Sequence, residues 1–432
     1  MAGNDAILNE TVRLPCGAEL PNRIAKAAMT EGLGDRRNRA TDRHVELYRR
    51  WGEGGAGLLV TGNVLVDRWH LERPGNLAIA GPQDDEALAG LKAIARAGTA
   101  HGSHLWMQLN HAGRQTQKAI NPTPKAPSTV ALKMRNGRFG RPVPLTETEI
   151  TDIIDRFAFA ARTARETGFT GVQMHAAHGY LASQFLSPLS NPRDDRWGGS
   201  LENRARFLVE TVRAMRKATA RDFVVSVKLN SADFQRGGFS ADDSATVAKW
   251  LEQEGVDLIE ISGGNYEQPR MIDFDRKDPL QDATYRGIKR REAYFLGFVP
   301  KLKQSVDIPV MVTGGFRSLA AMEEAAGNDM VDVIGLGRPF LVDPDAAHRL
   351  LRDRVARLIC RDADLRIGNG IFGPNSPISF LRDLNAWGAL GWYYEQVYRL
   401  ADGKEPDLQL SAFRALLAYD RTEGAGAKAL ER

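Results

Sequence analysis

The chain has 432 residues, of which 43% are hydrophobic and 26% are charged, a composition that excludes disordered and fibrous proteins. Its 58 basic and 54 acidic residues leave a net charge of only +4, and the basic residues are spread along the chain, so no nucleic-acid-binding surface is predicted. The two cysteines, Cys16 and Cys360, exclude a disulfide framework and a thiolate cluster for zinc or iron–sulfur.

Signals for export and membrane insertion are absent from the sequence. The first residues lack a charged segment followed by an apolar stretch, and no window approaches the roughly 18 apolar residues of a membrane span. Together with the few cysteines, this predicts a cytoplasmic protein with no membrane partner.

Eight short β-rich runs alternate with longer helical patterns along the chain. The runs cover residues 23–29, 57–66, 104–110, 171–175, 223–230, 258–263, 309–313 and 331–336. Apolar residues at helical spacing follow them, most clearly over 146–167, 201–220, 241–254 and 318–327. Eight strand–helix units are the count of a TIM barrel, and a doubly wound sheet is the alternative fold.

Two segments flank the predicted barrel. Residues 8–20 contain two short apolar–polar runs about a Pro-Cys-Gly turn, which predicts a hairpin covering the bottom of the barrel. After residue 345 the pattern is helical only and rich in aromatic residues. We therefore predict an α/β TIM (β/α)8 barrel with its hairpin over residues 1–345, and a helical extension packed on the barrel over residues 346–432.

Long loops follow the third and sixth predicted strands. They cover residues 120–143 and 264–291. Because βα loops of a barrel build its active-site face, both are candidate substrate lids. Arg114, just before the first of them, could clamp an anion or anchor the loop.

The most informative polar residues follow the fourth predicted strand. His175, His178 and Tyr180 offer three hydrogen-bonding groups to one small volume at a strand end, which favours holding an oxygen atom and supplying a proton. The alternative is a histidine that caps the strand and a core tyrosine. A zinc site would need a third ligand, which the sequence does not provide, so no metal is predicted.

Other polar residues and glycines also lie at predicted strand ends. Gln108 alternates with apolar neighbours, and Lys228 is an isolated cation in an apolar strand, which requires either an anionic ligand or an internal carboxylate. Glycine-rich turns after strands seven and eight fit a phosphate site, with a pair of tight turns as the alternative. Their residues are Gly314, Gly315, Gly337 and Arg338.

Two GxGxxG strings, at residues 52–57 and 368–373, do not support a dinucleotide-binding fold. Neither lies between a predicted strand and the start of a helix, which is the context that gives this motif its meaning.

Four segments resemble the old yellow enzyme family of FMN-dependent ene-reductases and related NAD(P)H:flavin oxidoreductases. They are HAAHGYLASQFLSPLSNPRDDRWGGSLENRARF at 175–207, AMT at 28–30, QLNHAGR at 108–114 and GLGRPF at 335–340. The resemblance covers nearly the whole chain, from residue 21 to residue 345. It implies a TIM barrel that binds FMN non-covalently and uses NADH or NADPH.

The resemblance also implies roles for individual residues. His175 and His178 would bind the carbonyl oxygen of the substrate, and Tyr180 would donate the proton. Flavin contacts are implied for Ala28, Met29, Thr30, Gly62, Gln108, Lys228, Gly314, Gly315, Gly337 and Arg338. Within that set, Lys228 stands where the family usually has arginine. Gly315, Gly337 and Arg338 would hold the phosphate.

The implied reaction is reduction of the activated C=C bond of an α,β-unsaturated carbonyl compound, with hydride from flavin N5 and a proton from Tyr180. Two alternatives are another FMN-barrel reaction, such as oxidation of a 2-hydroxy acid, and a flavin-binding redox-responsive protein without turnover. The lack of a cysteine cluster argues against the iron–sulfur branch of the family. The expected partner is a small enone-type molecule, and the oligomeric state is open, with a homodimer as one option.

Overall fold

The computed structural model describes residues 7–134, 137–264, 292–362 and 364–431. Eight parallel strands form its centre. They are β1 (Ile24–Lys26), β2 (Leu58–Leu65), β3 (His104–Asn110), β4 (Gly171–Ala176), β5 (Val224–Asn230), β6 (Leu258–Ser262), β7 (Val310–Thr313) and β8 (Val333–Leu336). Each strand pairs with the next along the chain, and β8 pairs with β1. The sheet is therefore closed, and the predicted TIM barrel is confirmed.

Helices follow the strands and continue beyond the barrel. They are α1 (Asp42–Glu53), α2 (Asp85–Thr99), α3 (Glu147–Glu166), α4 (Leu181–Leu186), α5 (Leu201–Ala218), α6 (Ala241–Gln253), α7 (Val299–Lys303), α8 (Leu319–Gly327), α9 (Pro339–Val342), α10 (Ala346–Leu351), α11 (Ser379–Ala401) and α12 (Ala412–Ala429). The helices predicted after strands three, four, five and seven are α3, α5, α6 and α8. Capping boxes at Thr146 and Ser240 fix the starts of α3 and α6.

The N-terminal hairpin forms as expected from the sequence. Val12–Arg13 pairs antiparallel with Glu19–Leu20, and Gly17 makes the turn with a φ of +91°. Its apolar residues Val12, Leu14 and Leu20 pack in one buried cluster with residues from the amino-terminal halves of the barrel strands, such as Leu58 and Leu258. The hairpin thus closes the bottom of the barrel, opposite the end at which the predicted site residues lie.

The chain after residue 345 differs from the prediction in one respect. Only helices were expected there, but within the described part of residues 352–378 the single helical turn is Gly370–Phe372. Glycines and the prolines at 374 and 377 explain this, because neither residue type favours a helix interior. α11 packs on α12 and on α1. The division of the chain at residue 345 stays a prediction.

The remaining expectations concern membrane-spanning helices and the two long loops. Among the described residues, no helix is both long and apolar enough to cross a membrane. The predicted loop after strand six lies outside the described residues apart from Gly264. The loop after strand three is described except for residues 135 and 136, and Lys125–Ala126 pairs with Val143–Pro144 across its base.

Candidate active site at the carboxyl end of the barrel

A sharp turn after β4 presents the three residues predicted to be catalytic. His175 lies within β4, His178 has a φ of +59° and Gly179 a φ of +80°, and Tyr180 precedes the first residue of α4. A positive φ is strained for histidine. The turn is held in this conformation by a hydrogen bond from the His178 backbone N–H to Asn230 Oδ1, at 3.1 Å.

The turn brings the three rings together. The His175 ring centroid lies 5.0 Å from that of His178 and 4.7 Å from that of Tyr180. His175 and Tyr180 are buried, with 3% and 5% of their surfaces exposed. His178 Nε2 lies 2.8 Å from Ser262 Oγ at the end of β6. The two histidines and the tyrosine thus share one volume, as their spacing in the sequence predicted.

Burial controls the charge of the two histidines. It lowers the pKa of each well below its usual value, and the nearby positive charge of Lys228 lowers both further, with a contribution from His178 to His175. Both rings are therefore neutral at physiological pH. A neutral imidazole has one N–H that can donate to a ligand oxygen.

Asn63, which the sequence analysis did not single out, links Tyr180 to a second polar group. Its Nδ2 donates to the Tyr180 phenol oxygen at 3.4 Å and to Thr30 Oγ1 at 3.2 Å. The Thr30 hydroxyl in turn donates to Glu72 Oε2 at 2.9 Å. A donor on the phenol oxygen favours the phenolate left after proton transfer, so Asn63 supports Tyr180 as an acid.

A row of polar side chains crosses the barrel interior on four successive strands. Gln108 Nε2 donates to Gln173 Oε1 at 2.7 Å, and Gln173 Nε2 donates to Glu260 Oε2 at 2.9 Å. Lys228 Nζ lies 2.8 Å from Glu260 Oε1, with side-chain exposures of 4% and 0%. Glu260 is thus the internal carboxylate of the two partners considered for Lys228, and an anionic ligand near Lys228 stays a prediction.

The predicted phosphate residues lie on the loops after β7 and β8, which are adjacent because Thr313 pairs with Gly335. Gly314 and Gly315 have φ values of +142° and +86°, which favour glycine. The Arg338 guanidinium is bound to the Asp362 carboxylate, with NH1 2.6 Å from Oδ1. The glycine loops and the arginine therefore occur at one end of the barrel, and their phosphate role stays a prediction.

The segment after β1 lies against β2 and the loop after β8. A Cβ atom on Gly62 would meet Glu31 Oε2 at 2.3 Å and the Met29 carbonyl oxygen at 2.5 Å, so only glycine fits there. The Gly62 N–H donates to Glu31 Oε1 at 2.8 Å. Met29 Sδ is the atom nearest to a Cβ built on Gly337, at 3.5 Å. Ala28 packs against the apolar cluster that the N-terminal hairpin forms at the bottom of the barrel.

Arg114 anchors the loop after β3. Its NH1 donates to the carbonyl oxygens of Val130 and Ala131 at 3.3 and 3.5 Å. This is the loop-anchoring alternative of the two that the sequence left open. The role of this loop as a substrate lid stays a prediction.

Asp67, His70 and His111 bring their side-chain ligand atoms close enough to resemble a metal site. However, His70 Nε2 accepts the Lys125 backbone N–H at 2.8 Å, and His111 Nδ1 accepts that of Gly113 at 3.1 Å. The nitrogens facing Asp67 must then carry the hydrogens of the neutral rings, and a protonated nitrogen cannot ligate a metal. The cluster is therefore a carboxylate beside two imidazoles, with His70 Nδ1 at 3.0 Å and His111 Nε2 at 3.8 Å from Asp67 Oδ2, and Arg156 adds a positive charge at 3.4 Å.

The donor set of the polar row fits the ring system of a flavin. Gln108 uses one N–H on Gln173, so among the described residues its carbonyl oxygen and second N–H remain for a ligand that both donates and accepts. The buried Lys228 ammonium shares its charge with the Glu260 carboxylate and still offers N–H donors to an anionic reduced flavin. The glycine loops offer backbone N–H groups for a phosphate.

Comparison with known proteins agrees with this fit. The model of the NADH:flavin oxidoreductase / NADH oxidase family matches residues 16–356. The NADH-dependent flavin oxidoreductase iliE of Hypocrea jecorina is 36% identical over 350 residues, which are 77% of this chain and 86% of that protein. The NADH-dependent flavin oxidoreductase nadA of Aspergillus parasiticus is 38% identical over 351 residues, 78% of this chain and 76% of that protein.

The likeness extends to the fold of solved structures. An old yellow enzyme homologue from Zymomonas mobilis superposes with a TM-score of 0.65 at 23% identity, covering 81% of this chain and 94% of that one.

Proposed function

Because the chain belongs to the NADH:flavin oxidoreductase / NADH oxidase family, that of the old yellow enzymes, with FMN as cofactor and NAD(P)H as reductant, we propose that it reduces the activated C=C bond of α,β-unsaturated carbonyl compounds. The observation that carries this proposal is the convergence of the buried His175 and Tyr180 rings with the half-buried His178 ring. Bound FMN would supply a hydride at N5. All other steps depend on side chains of the chain itself.

The substrate carbonyl oxygen would be held by His175 and His178. Both imidazoles are neutral because burial lowers their pKa, so each can donate one N–H to the oxygen without a full positive charge. These donors stabilise the negative charge that develops on the oxygen as hydride reaches the β-carbon. Polarisation by the two histidines is what makes the alkene an acceptor.

Tyr180 would then protonate the α-carbon. Its ring lies 4.7 Å from that of His175, so an oxygen held by the histidines has the phenol beside it. The phenolate formed by proton transfer keeps its hydrogen bond from Asn63 Nδ2, which lowers the free energy of the ionised form. The balance is one hydride and one proton added across the C=C bond, with the carbonyl group retained.

A single-turnover experiment tests this function. The holoenzyme is reduced with NADH in the absence of oxygen and mixed with 2-cyclohexen-1-one, or with cyclohexanone as the control that lacks the C=C bond. We expect the absorbance of oxidised flavin to return with the enone and not with the saturated ketone. No return with the enone, or an equal return with both, would exclude the proposed function.

A second test addresses the oxygen site. A phenol places an oxyanion where the carbonyl oxygen would lie, so His175→Ala should weaken its binding by roughly tenfold to a hundredfold, the range for one hydrogen bond to a charged group. Titration of the flavin spectrum with 4-hydroxybenzaldehyde measures the affinity. In the unchanged protein, the affinity should show no imidazole ionisation near the usual histidine pKa, because burial lowers the pKa of both histidines well below it. Unchanged affinity in the variant would remove His175 from the site.

The setting of the reaction is part of the proposal. Cys16 and Cys360 are free thiols, which supports action in a reducing cytoplasm. The substrate is a small molecule, and the loop over residues 120–143 is the described candidate for recognising it. A homodimer stays a prediction.

A further inference from the structure

A strap of the C-terminal region lies along the loop that follows β7. Ser318 and Arg357 form an antiparallel bridge, and the Leu358 N–H donates to the Arg317 carbonyl oxygen at 2.8 Å. The Glu292 carboxylate binds Ser318 on one side and Arg357 on the other. The strap, residues 356–362, is thereby fixed against the predicted phosphate loops.

Asp362, in this strap, binds two arginines from those loops. Its Oδ1 lies 2.6 Å from Arg338 NH1, and its Oδ2 lies 3.4 Å from Arg317 NH2. The Tyr393 hydroxyl, from α11, donates to Oδ1 at 2.5 Å, and Cys360 Sγ lies 2.9 Å from Oδ2. Burial opposes ionisation, but these contacts, led by the charge of Arg338, keep the pKa of Asp362 below its usual value.

The charges in this cluster do not cancel. Two guanidinium groups share one carboxylate, which leaves one positive charge beside the glycine turn at Gly314 and Gly315. A guanidinium has five N–H donors, and Arg338 uses NH1 on Asp362, so the rest of its fork can bind an anion. A cation already fixed in orientation loses less entropy when it binds that anion.

Both Asp362 and Tyr393 lie outside the family match, which ends at residue 356. We propose that Asp362 and Tyr393 are positioning residues for the flavin phosphate, which hold the guanidinium groups of Arg338 and Arg317 towards it. This inference rests on the proposed binding of the FMN phosphate at these loops.

The test compares two flavins that differ only in the phosphate. FMN and riboflavin are titrated against the deflavinated full chain, and quenching of flavin fluorescence gives each dissociation constant. For Asp362→Ala we expect FMN to bind roughly tenfold more weakly and riboflavin to bind as before. Tyr393→Phe should show a smaller loss of the same kind. Asp364→Ala is the matched control, since that exposed carboxylate contacts only Arg361 among the described residues.

Other results of the two titrations would overturn either the positioning role of Asp362 or the proposed function. Equal losses for FMN and riboflavin would make Asp362 a structural residue, and tighter FMN binding would make it a competitor of the phosphate; either result overturns the inference. If Asp362→Ala does not fold, the FMN-to-riboflavin ratio of Tyr393→Phe decides in its place. If the unchanged chain binds neither flavin, the proposed function itself fails.

Discussion

Tyr180→Phe should slow the oxidation of the reduced enzyme by an enone by roughly 10²- to 10⁴-fold, the usual contribution of a general acid. The variant keeps the ring that packs 4.7 Å from His175 and removes only the hydroxyl that Asn63 binds. Reduction by NADH should be largely unchanged, because that step needs no proton from Tyr180. Rapid mixing without oxygen measures the two steps separately.

The NADH step is the internal control for this variant. Equal slowing of both steps would mean that the substitution disturbs the pocket, and full speed in both would assign the proton to another group. Phenol affinity gives an independent check, since the two histidines that bind the oxyanion are unchanged in the variant.

Glu423→Gln should destabilise the fold by about 3 kcal/mol, because it removes one partner of a buried ion pair. Glu423 of α12 is bound by Arg73, with the guanidinium stacked 3.8 Å from the ring centroid of Tyr394 and bonded to the Tyr398 hydroxyl at 3.0 Å. Arg73 is 1% exposed. Without the Glu423 carboxylate, the buried guanidinium loses the opposite charge that is bonded to it, and this leaves its loss of hydration less well compensated.

Urea denaturation of the holoenzyme measures the change in unfolding free energy. Glu19→Gln is the matched control, since it breaks the exposed Arg13–Glu19 pair and should change stability little. The double variant Arg73→Met/Glu423→Leu should recover much of the loss, because a well-packed apolar pair can replace a buried ion pair. Arg73 lies in the loop between β2 and α2, so this ion pair joins that loop to α12. A Glu423→Gln variant as stable as the control would show that the pair does not stabilise the fold.

The alternation of short β-rich runs with helical patterns predicted the fold, because the strands of a parallel barrel are buried on both sides and joined by helices. The same reasoning found Lys228 as an isolated charge in an apolar strand. Glu260 carries an equal signal within the apolar run of β6, and Gln173 lies two residues before His175 on the same face. Both could have been found, although their pairing with Lys228 and Gln108 needs the register between strands.

Asp362 could not be predicted in this way. Its contact with Arg338 depends on the path of the irregular segment after α10, and such a segment has no periodicity that fixes where a side chain lies. Asn63 was hidden for a different reason. A kink in the pairing of β2 with β3, between Val60 and Asn63, breaks the alternation that would assign its face.

The position of each added hydrogen tests the central claim most directly. The holoenzyme reduces 2-cyclohexen-1-one with NADH that carries deuterium at C4, or with ordinary NADH in D₂O, and NMR locates the label in the product. We predict a saturated ketone with deuterium from NADH at the β-carbon and deuterium from water at the α-carbon. An allylic alcohol labelled at the carbonyl carbon, or no product, would contradict the account.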